Sequence, residues 1–294
     1  MRPSARASTP PSDNKYEPRP GQSIELLKEL HILTRDGKMN QDSRRKLKQV
    51  YHLTQFIEPL LTEAMQSHAD ISVVDHGAGK SYLGFILYDL FLKAHEGPRI
   101  YGIETRDELV TRSRELAERL GFGGGMSFLN LSVAESIDAP QLPTQVDVVT
   151  ALHACDTATD DAIRFALAKD ARFIVLVPCC QAEVAGVLRK HKADSLAAGA
   201  LGEVWRHPIH TREFGSHITN VLRCLQLEAH GYQLNVTELV GWEHSMKNEL
   251  IIATRKQGTR QRVAAARLAD LLEQFGLQAL RTRFFAPGDD VQLP

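Results

Sequence analysis

Hydrophobic and polar positions follow two different periods along the chain, and the change of period divides it into regions. Near the N-terminus the apolar residues recur at helical spacing, which predicts helices over 22–34 and 42–67. In the central part, short apolar runs of strand length alternate with amphipathic helical segments. A last amphipathic segment, 259–276, predicts a helix that ends at Gly276.

The central part contains seven runs of strand length. They cover residues 71–76, 99–104, 126–131, 145–153, 172–178, 232–240 and 249–255, and helical patterns cover 80–95, 107–120, 157–169, 181–193 and 216–230. Alternation of short apolar strands with helices predicts an α/β fold with a mostly parallel sheet covered on both faces. About eight residues join the last two strands, too few for a crossover helix, so these two strands should pair antiparallel.

The composition indicates a folded chain without a dominant charge. Its 294 residues are 43% hydrophobic and 24% charged, and the formal net charge is −1. Any nucleic acid would therefore have to bind through local basic patches. The first twenty residues are rich in Pro, Ser and Arg and lack the apolar core of a signal peptide, and no apolar run is long enough to span a membrane. We expect a cytoplasmic protein that does not contact a membrane, with a disordered start.

The stretch VVDHGAGKS, residues 73–81, is compatible with two kinds of ligand loop. It ends in Gly-Lys-Ser as a P-loop does, but a P-loop needs a glycine five positions before Gly79, where this chain has Val74. The alternative is an Asp-x-Gly-x-Gly loop, in which Gly77 and Gly79 allow a tight turn at the end of the first strand. The spacing favours a nucleoside-binding loop that starts at Asp75.

A second carboxylate agrees with this interpretation. Glu104 ends the second predicted strand, 29 residues after Asp75, where a carboxylate can accept hydrogen bonds from both ribose hydroxyls. Nicotinamide enzymes and enzymes that bind S-adenosylmethionine share this arrangement. A dinucleotide loop prefers Gly or Ala at position 82, where this chain has Tyr82, whereas a sulfonium cofactor without phosphates would be stabilised by Asp75.

With these features the sequence resembles the class I S-adenosylmethionine-dependent methyltransferases. The segments DHGAGKSYL, ALHACDTATDDAI, VPCCQ and KNELII are similar to one methyltransferase-domain family, which includes the glutathione S-transferase C-terminal-domain-containing protein. A tRNA 2′-O-methyltransferase group is a more distant relative. The resemblance implies a Rossmann-like seven-stranded sheet whose last strand is antiparallel. We expect a disordered tail (1–20), an N-terminal helical extension (21–68), the methyltransferase domain (69–257) and a C-terminal helix and tail (258–294).

The resemblance also implies the cofactor, S-adenosylmethionine, and a set of residues that bind it. Asp75, Gly77, Ala78 and Gly79 would form the cofactor loop, and Glu104 would hold the ribose. The segment after the third strand would flank the adenine; it comprises Ser132, Val133, Ala134 and Glu135. For Glu135, a place in a solvent-facing loop is an equal alternative.

Histidine and cysteine residues follow the fourth and fifth predicted strands. In the class I order these strands are neighbours, so both tips should lie beside the methyl group of the cofactor. The candidate catalytic residues at these tips are His153, Cys155, Asp156, Cys179 and Cys180, and His153 is also a candidate cofactor contact.

Several chemistries remain open at these tips. The cysteines could pack as small apolar residues, or Cys179 or Cys180 could supply the thiolate that methylation of carbon 5 of a pyrimidine requires. His153, Cys155 and the adjacent pair could hold zinc or an iron–sulfur group, but adjacent cysteines rarely both reach one metal, and we expect no metal. His153 could instead be a general base whose pKa is tuned by Asp156.

Local basic segments favour RNA, such as rRNA or tRNA, as the methyl acceptor. These segments are the start of the long N-terminal helix (Arg44, Arg45, Lys46 and Lys48), residues 255–267 and residues 205–217. We expect 205–217 to lie between helices and to cover the substrate, and Lys247 or Asn248 of the last hairpin could also contact the acceptor. A protein or small-molecule acceptor, a non-catalytic cofactor-binding scaffold and an NAD-dependent oxidoreductase remain alternatives.

Overall fold

The computed structural model describes residues 17–152, 154–178, 181–190, 202–239, 249–256 and 262–285. Its strands are β1 Ser72–His76, β2 Arg99–Glu104, β3 Met126–Asn130, β4 Val148–Ala151, β5 Phe173–Leu176, β6 Tyr232–Glu238 and β7 Glu249–Arg255. They form one sheet in the order β3-β2-β1-β4-β5-β7-β6, in which β7 is antiparallel to both of its neighbours. The predicted α/β fold with an antiparallel last strand is confirmed.

Helices precede, connect and follow these strands. They are α1 Ile24–Glu29, α2 Gln41–Ser67, α3 Tyr82–Leu87, α4 Asp107–Arg119, α5 Val133–Ile137, α6 Thr157–Ala168, α7 Glu183–Lys190, α8 Gly202–Trp205, α9 Pro208–Ala229, α10 Arg262–Gln274 and α11 Arg281–Phe284. A π-helical turn, Tyr88–Leu92, continues α3. The predicted C-terminal helix is confirmed as α10, and Gly276 adopts a left-handed φ of 65° just beyond it.

Two apolar layers enclose the sheet because the side chains of each strand point alternately to its two faces. Val73 of β1 packs in the layer formed with α1, α2, α3 and α4. Val74 packs in the opposite layer, with α5, α6 and α9. Asp75 has the same parity as Val73, so its side chain lies on the face that α2 and α3 cover.

The N-terminal helices belong to the same apolar core as the sheet. Leu27 of α1 and Leu47, Ile57 and Leu61 of α2 are fully buried in the layer that contains Val73. The side chain of Asn40 accepts a hydrogen bond from the Ser43 N–H (2.8 Å) and caps the start of α2. The long helix is therefore held in one position over the sheet.

The prediction that residues 205–217 lie between helices is wrong. Most of them form the first turns of α9, which begins at Pro208, a residue that the first turn of a helix accepts without losing a hydrogen bond. The buried ring of Trp205 packs against Phe214 and Phe275, with ring centroids 5.3 and 6.4 Å away. This segment is part of a separate apolar cluster with α10 and α11.

Candidate functional site

The loop after β1 has the backbone geometry that its glycines predict. Gly77 and Gly79 adopt left-handed φ angles of 63° and 59°, which favour residues without a Cβ. The N–H of Ala78 donates to the carbonyl of Ile103 in β2 (3.1 Å), which fixes the loop against the neighbouring strand. A Cβ added at Gly79 would be in ordinary van der Waals contact with Arg106 Nη2, 3.8 Å away, so the left-handed φ and not the space favours glycine here.

Asp75 is a buried carboxyl at the start of this loop. Its side chain is 4% exposed, and Oδ1 accepts a hydrogen bond of 2.6 Å from the Thr150 hydroxyl of β4. Burial raises the pKa of this carboxyl to about 7, and the Thr150 hydrogen bond opposes that shift. The protonation of Asp75 therefore changes within the range of neutral pH.

Glu104 lies beside the same loop, as the sequence predicts, and its carboxylate already has partners. The Gly79 N–H donates to Oε2 (2.8 Å). Arg106 donates through Nε to Oε1 (2.9 Å) and through Nη2 to Oε2 (3.0 Å), and its backbone N–H and the Thr105 hydroxyl also donate to Oε1. The hydrogen bonds from the Arg106 side chain lower the pKa of Glu104 to about 2, so the group is a carboxylate at neutral pH.

A cavity of about 680 Å³ lies between α2 and the loop after β1. The predicted residues Asp75, Gly77, Ala78 and Gly79 line it. The other lining residues are Leu30, Lys46, Gln49, Val50, Leu53, Lys80, Tyr82, Leu83, Ile86, Arg106, Leu152, Val177 and Leu239. The volume is within the range of small-molecule sites in proteins, and the lining is mostly apolar with a few polar groups, as such sites usually are.

The segment after β3 has a local structural role. Ser132 accepts the Glu135 N–H (3.3 Å), and Glu135 Oε2 accepts the Ser132 N–H (2.8 Å), which together form a capping box at the start of α5. Hydrogen bonds from Ser132 lower the pKa of Glu135. The predicted adenine contacts at Val133, Ala134 and Glu135 lie outside the lining of the cavity.

The structure describes only part of the predicted catalytic set. His153, Cys179 and Cys180 lie outside the described residues, and so do Lys247 and Asn248. Cys155 is exposed at the tip of β4. In the described ranges, no three or more His, Cys, Asp or Glu side chains cluster in a way that could hold a metal ion.

Asp156 connects the tips of β4 and β5. Its Oδ1 accepts hydrogen bonds from the backbone N–H groups of Ala182 (2.9 Å) and Glu183 (3.3 Å) at the start of α7. Its own φ is 51° with ψ at −121°, a backbone conformation outside the left-handed helical region that residues other than glycine rarely adopt. The observed partners of this carboxylate indicate that it holds two loops together.

A buried ion pair, which sequence reasoning missed, lies behind these tips. Arg223 of α9 is fully buried and donates to both oxygens of Asp160 in α6, over 2.7 and 2.8 Å. It also donates to the carbonyl of Asp156 (2.8 Å) and, over 3.3 Å, to Asn220 Oδ1, which accepts a hydrogen bond from Gln181 as well. The only available sequence signal was an arginine within the apolar pattern of a helix.

The cations at the start of α2 have different environments. Lys46 lines the cavity, where its ammonium contacts Asp42 Oδ2 (2.8 Å) and donates to the carbonyl of His31 (3.2 Å). Arg45 and Lys48 are exposed and do not line the cavity. Sequence reasoning did not identify Lys46, Gln49, Val50 and Leu53 as one surface, although their spacing is helical.

No helix in the described ranges is both long enough and apolar enough to span a bilayer. Residues 45–187 match the model of a family described as "Methyltransferase domain". No curated protein is significantly similar to the sequence.

Similar solved structures are methyltransferases or related proteins of low sequence identity. Magnesium protoporphyrin IX methyltransferase from Synechocystis PCC 6803 with bound SAM is 15% identical, with a TM-score of 0.45, 79% of this chain covered and 91% of that chain. An rRNA methylase from Streptococcus thermophilus is 8% identical, with a TM-score of 0.41, 64% of this chain covered and 89% of that chain. Fibrillarin from Aeropyrum pernix with bound S-adenosyl-L-methionine is 14% identical, with a TM-score of 0.39, 63% of this chain covered and 66% of that chain. Their names imply different acceptors, and similarity this low does not identify the acceptor of this chain.

Proposed function

We propose that this chain, whose residues 45–187 match a methyltransferase-domain family and whose sheet has the order β3-β2-β1-β4-β5-β7-β6, transfers a methyl group from S-adenosylmethionine to a nucleotide of RNA inside the cavity under α2. The observation that carries this proposal is the cavity itself. It joins the predicted cofactor loop to an apolar chamber whose lining includes the cations Lys46, Lys80 and Arg106. A flat base and a phosphate require those two kinds of surface.

The motifs of the sequence support a narrower family assignment, and the region bounds of the sequence analysis complete the proposal. DHGAGKSYL and ALHACDTATDDAI favour the family that includes the glutathione S-transferase C-terminal-domain-containing protein. The proposed regions are a tail (1–20), a helical extension (21–68), the methyltransferase domain (69–257) and a C-terminal helix and tail (258–294).

The residues of the β1 loop fit the cofactor. Gly77 and Gly79 bring the backbone to the surface of the cavity, and Asp75 places a titratable carboxyl at the start of the loop. A positive charge nearby would favour the ionised form of Asp75 and so lower its pKa from about 7. Asp75 therefore suits a cationic ligand better than a neutral one.

Glu104 can hold a ribose diol only after its hydrogen bonds are rearranged. The carboxylate accepts five hydrogen bonds in the structure, whereas its two oxygens offer about four lone-pair sites. The Gly79 N–H is part of the loop, but the Arg106 side chain is 62% exposed and free to turn into solvent. We propose that Arg106 leaves Glu104 when the ribose binds.

The chemistry of transfer is a displacement at carbon. S-adenosylmethionine, when bound, would supply an electrophilic methyl carbon; the lone pair of the acceptor would bond to it as the carbon–sulfur bond broke, with that bond's electron pair left on sulfur. An N–H or O–H acceptor then loses its proton to water or to a base. Alignment is the main requirement of such a step. We propose His153 as the base that takes this proton. Cys179 or Cys180 is the alternative catalytic residue, as the thiolate that methylation of carbon 5 of a pyrimidine requires, and Cys155 is a further candidate beside them. Asp156 is the proposed positioning residue.

A binding and transfer experiment tests this function. Calorimetry should detect binding of both S-adenosylmethionine and S-adenosylhomocysteine to the wild type, and Glu104→Gln should weaken both by about tenfold, since a charge-assisted hydrogen bond is lost. Glu108→Gln, an exposed residue in the first turn of α4, is the matched control and should bind like the wild type.

The same preparation should then transfer labelled methyl groups to a total RNA pool in preference to protein and metabolite pools. Absence of cofactor binding in the wild type would contradict the enzyme function. Binding followed by labelling of protein alone would contradict the RNA acceptor.

A further inference from the structure

Helix α2 has two stripes of residues with different neighbours. One stripe is buried in the main core and includes Leu47, Tyr51 and Leu61. The second stripe consists of Lys46, Gln49, Val50 and Leu53, at positions i, i+3, i+4 and i+7, which lie on one side of a helix. All four residues of the second stripe line the cavity across from the cofactor loop.

Most of the described residues that line the cavity are apolar. Tyr82 and Ile86 of α3 form one wall, and Leu152 and Val177, which follow β4 and β5, form another. Burial raises the pKa of the Tyr82 hydroxyl, so the ring is neutral at physiological pH. A flat apolar group can therefore lie between α2 and the strand tips without leaving a charge unpaired.

Positive charge is concentrated at the edge of this chamber. Lys80 is exposed, lines the cavity and makes no hydrogen bond or ion pair with any other residue in the described ranges. Lys46 and Arg106 also line the cavity, but each is already paired with a carboxylate, Lys46 with Asp42 and Arg106 with Glu104. Among the described residues that line the cavity, the only acidic one is Asp75, which burial keeps partly protonated near pH 7. The ammonium of Lys80 therefore complements an anionic ligand directly, and Lys46 can do so by leaving Asp42.

We propose that the second stripe of α2, together with Tyr82 and Lys80, forms the acceptor subsite, and that it takes a nucleotide. The base lies against Val50, Leu53 and Tyr82, and the phosphate is held by Lys80 and Lys46. Bases outside a duplex bind proteins by stacking on such surfaces, and their phosphates bind to lysine. This inference rests on the proposed function and adds the place and the chemistry of acceptor recognition.

The nucleotide could be free or part of a single-stranded RNA, and the two sources can be separated. A mixture of the four nucleoside monophosphates and a short single-stranded oligonucleotide of mixed sequence serve as alternative probes in a labelled-methyl assay. Methylation of the oligonucleotide that weakens steeply with added salt identifies RNA, because several phosphates then release counterions. Methylation of the monophosphates identifies the free nucleotide.

Charge variants test where the acceptor binds. Lys80→Glu and Lys46→Glu should raise the KM for the methylated probe by about tenfold, since one charge-assisted contact is lost in each. The dissociation constant for S-adenosylhomocysteine should change less than about twofold, because neither lysine contacts the cofactor in this arrangement. Lys38→Glu is the matched control, an exposed lysine just before α2 that lies outside the cavity, and its KM should equal that of the wild type.

A filling variant tests the apolar part of the subsite without changing charge. Leu53 is half-buried at the edge of the main core and lines the cavity, so Leu53→Trp adds bulk to the cavity; it should abolish methyl transfer while cofactor binding, which shows that the variant is folded, stays near the wild-type value.

Two outcomes would overturn the assignment while the wild type still binds the cofactor and methylates the probe. They are an equal rise of KM in Lys38→Glu and Lys80→Glu, or full activity of Leu53→Trp. Failure of the wild type to bind S-adenosylhomocysteine would instead overturn the proposed function itself.

Discussion

At the scale of single residues, Asp75 should make the fold less stable as the pH rises. Burial raises the pKa of its carboxyl from 3.8 to about 7, so the folded protein keeps a proton that the unfolded chain has lost between these values. Stability is therefore lost as the pH increases through that window. We expect Asp75→Asn, which retains an acceptor for Thr150 and cannot ionise, to unfold roughly 5 °C above the wild type at pH 8.

The pH dependence of this gain is the decisive measurement. At pH 5 the difference in unfolding temperature between Asp75→Asn and the wild type should be smaller. The Asp75 carboxyl of the folded wild type is still protonated at that pH, so its ionisation destabilises the fold less. Asp70→Asn removes an exposed carboxylate just before β1 and should give no such gain at either pH. A gain for Asp75→Asn that is the same at pH 5 and pH 8 would mean that its ionisation does not cause the effect.

Arg106 is the second residue whose effect can be predicted. Its guanidinium occupies the carboxylate that we assign to the ribose, so cofactor binding includes the cost of separating the pair. We expect Arg106→Ala to lower the dissociation constant for S-adenosylmethionine about threefold. Calorimetry checks this, with the exposed Arg112→Ala of α4 as the control. Weaker binding by Arg106→Ala would show that the arginine contacts the cofactor.

At the scale of elements, the pair Arg223–Asp160 connects α9 to α6 and supports the loop that contains Asp156. Both side chains are almost completely buried, so removal of one leaves the other charge without a partner. We expect Arg223→Met to reduce the free energy of unfolding by about 3–5 kcal/mol. Urea unfolding gives the value.

The exposed pair Arg164–Asp161, on the same helix α6, provides the control for this prediction. Its side chains are 46% and 35% exposed, and removal of such a pair should cost less than about 1 kcal/mol. Equal losses in Arg164→Met and Arg223→Met would contradict a special role for the buried pair.

The elements also show why one prediction was wrong. The Arg/His segment 205–217 has polar residues at a density that is typical of loops, and Pro208 reads as a breaker when only local rules are applied. In the structure the same proline begins α9, and Trp205 anchors the segment in an apolar cluster. Burial of that ring decides the position of the segment, and burial depends on α10, which comes much later in the chain.

At the scale of the whole molecule, the sheet order brings the predicted cofactor residues together. The strands that carry Asp75 and Glu104 are neighbours, and the intervening loop bonds directly to Glu104 through Gly79. The cavity appears only when α2 is placed over that edge of the sheet. In our proposal the loop after β1 and Glu104 recognise the cofactor, and one stripe of α2 together with Lys80 and Tyr82 recognises the acceptor.

The sequence by itself determined the strands, the antiparallel last strand, the glycine turn after β1 and the proximity of Glu104, because periodicity and backbone preference are local properties. The tertiary structure decided the rest: the pairing of Arg106 with Glu104, the buried contact of Arg223 with Asp160, and the second stripe of α2. These features arise from packing between segments far apart in the chain. A helical pattern identifies which residues share a face but not which surface that face will meet.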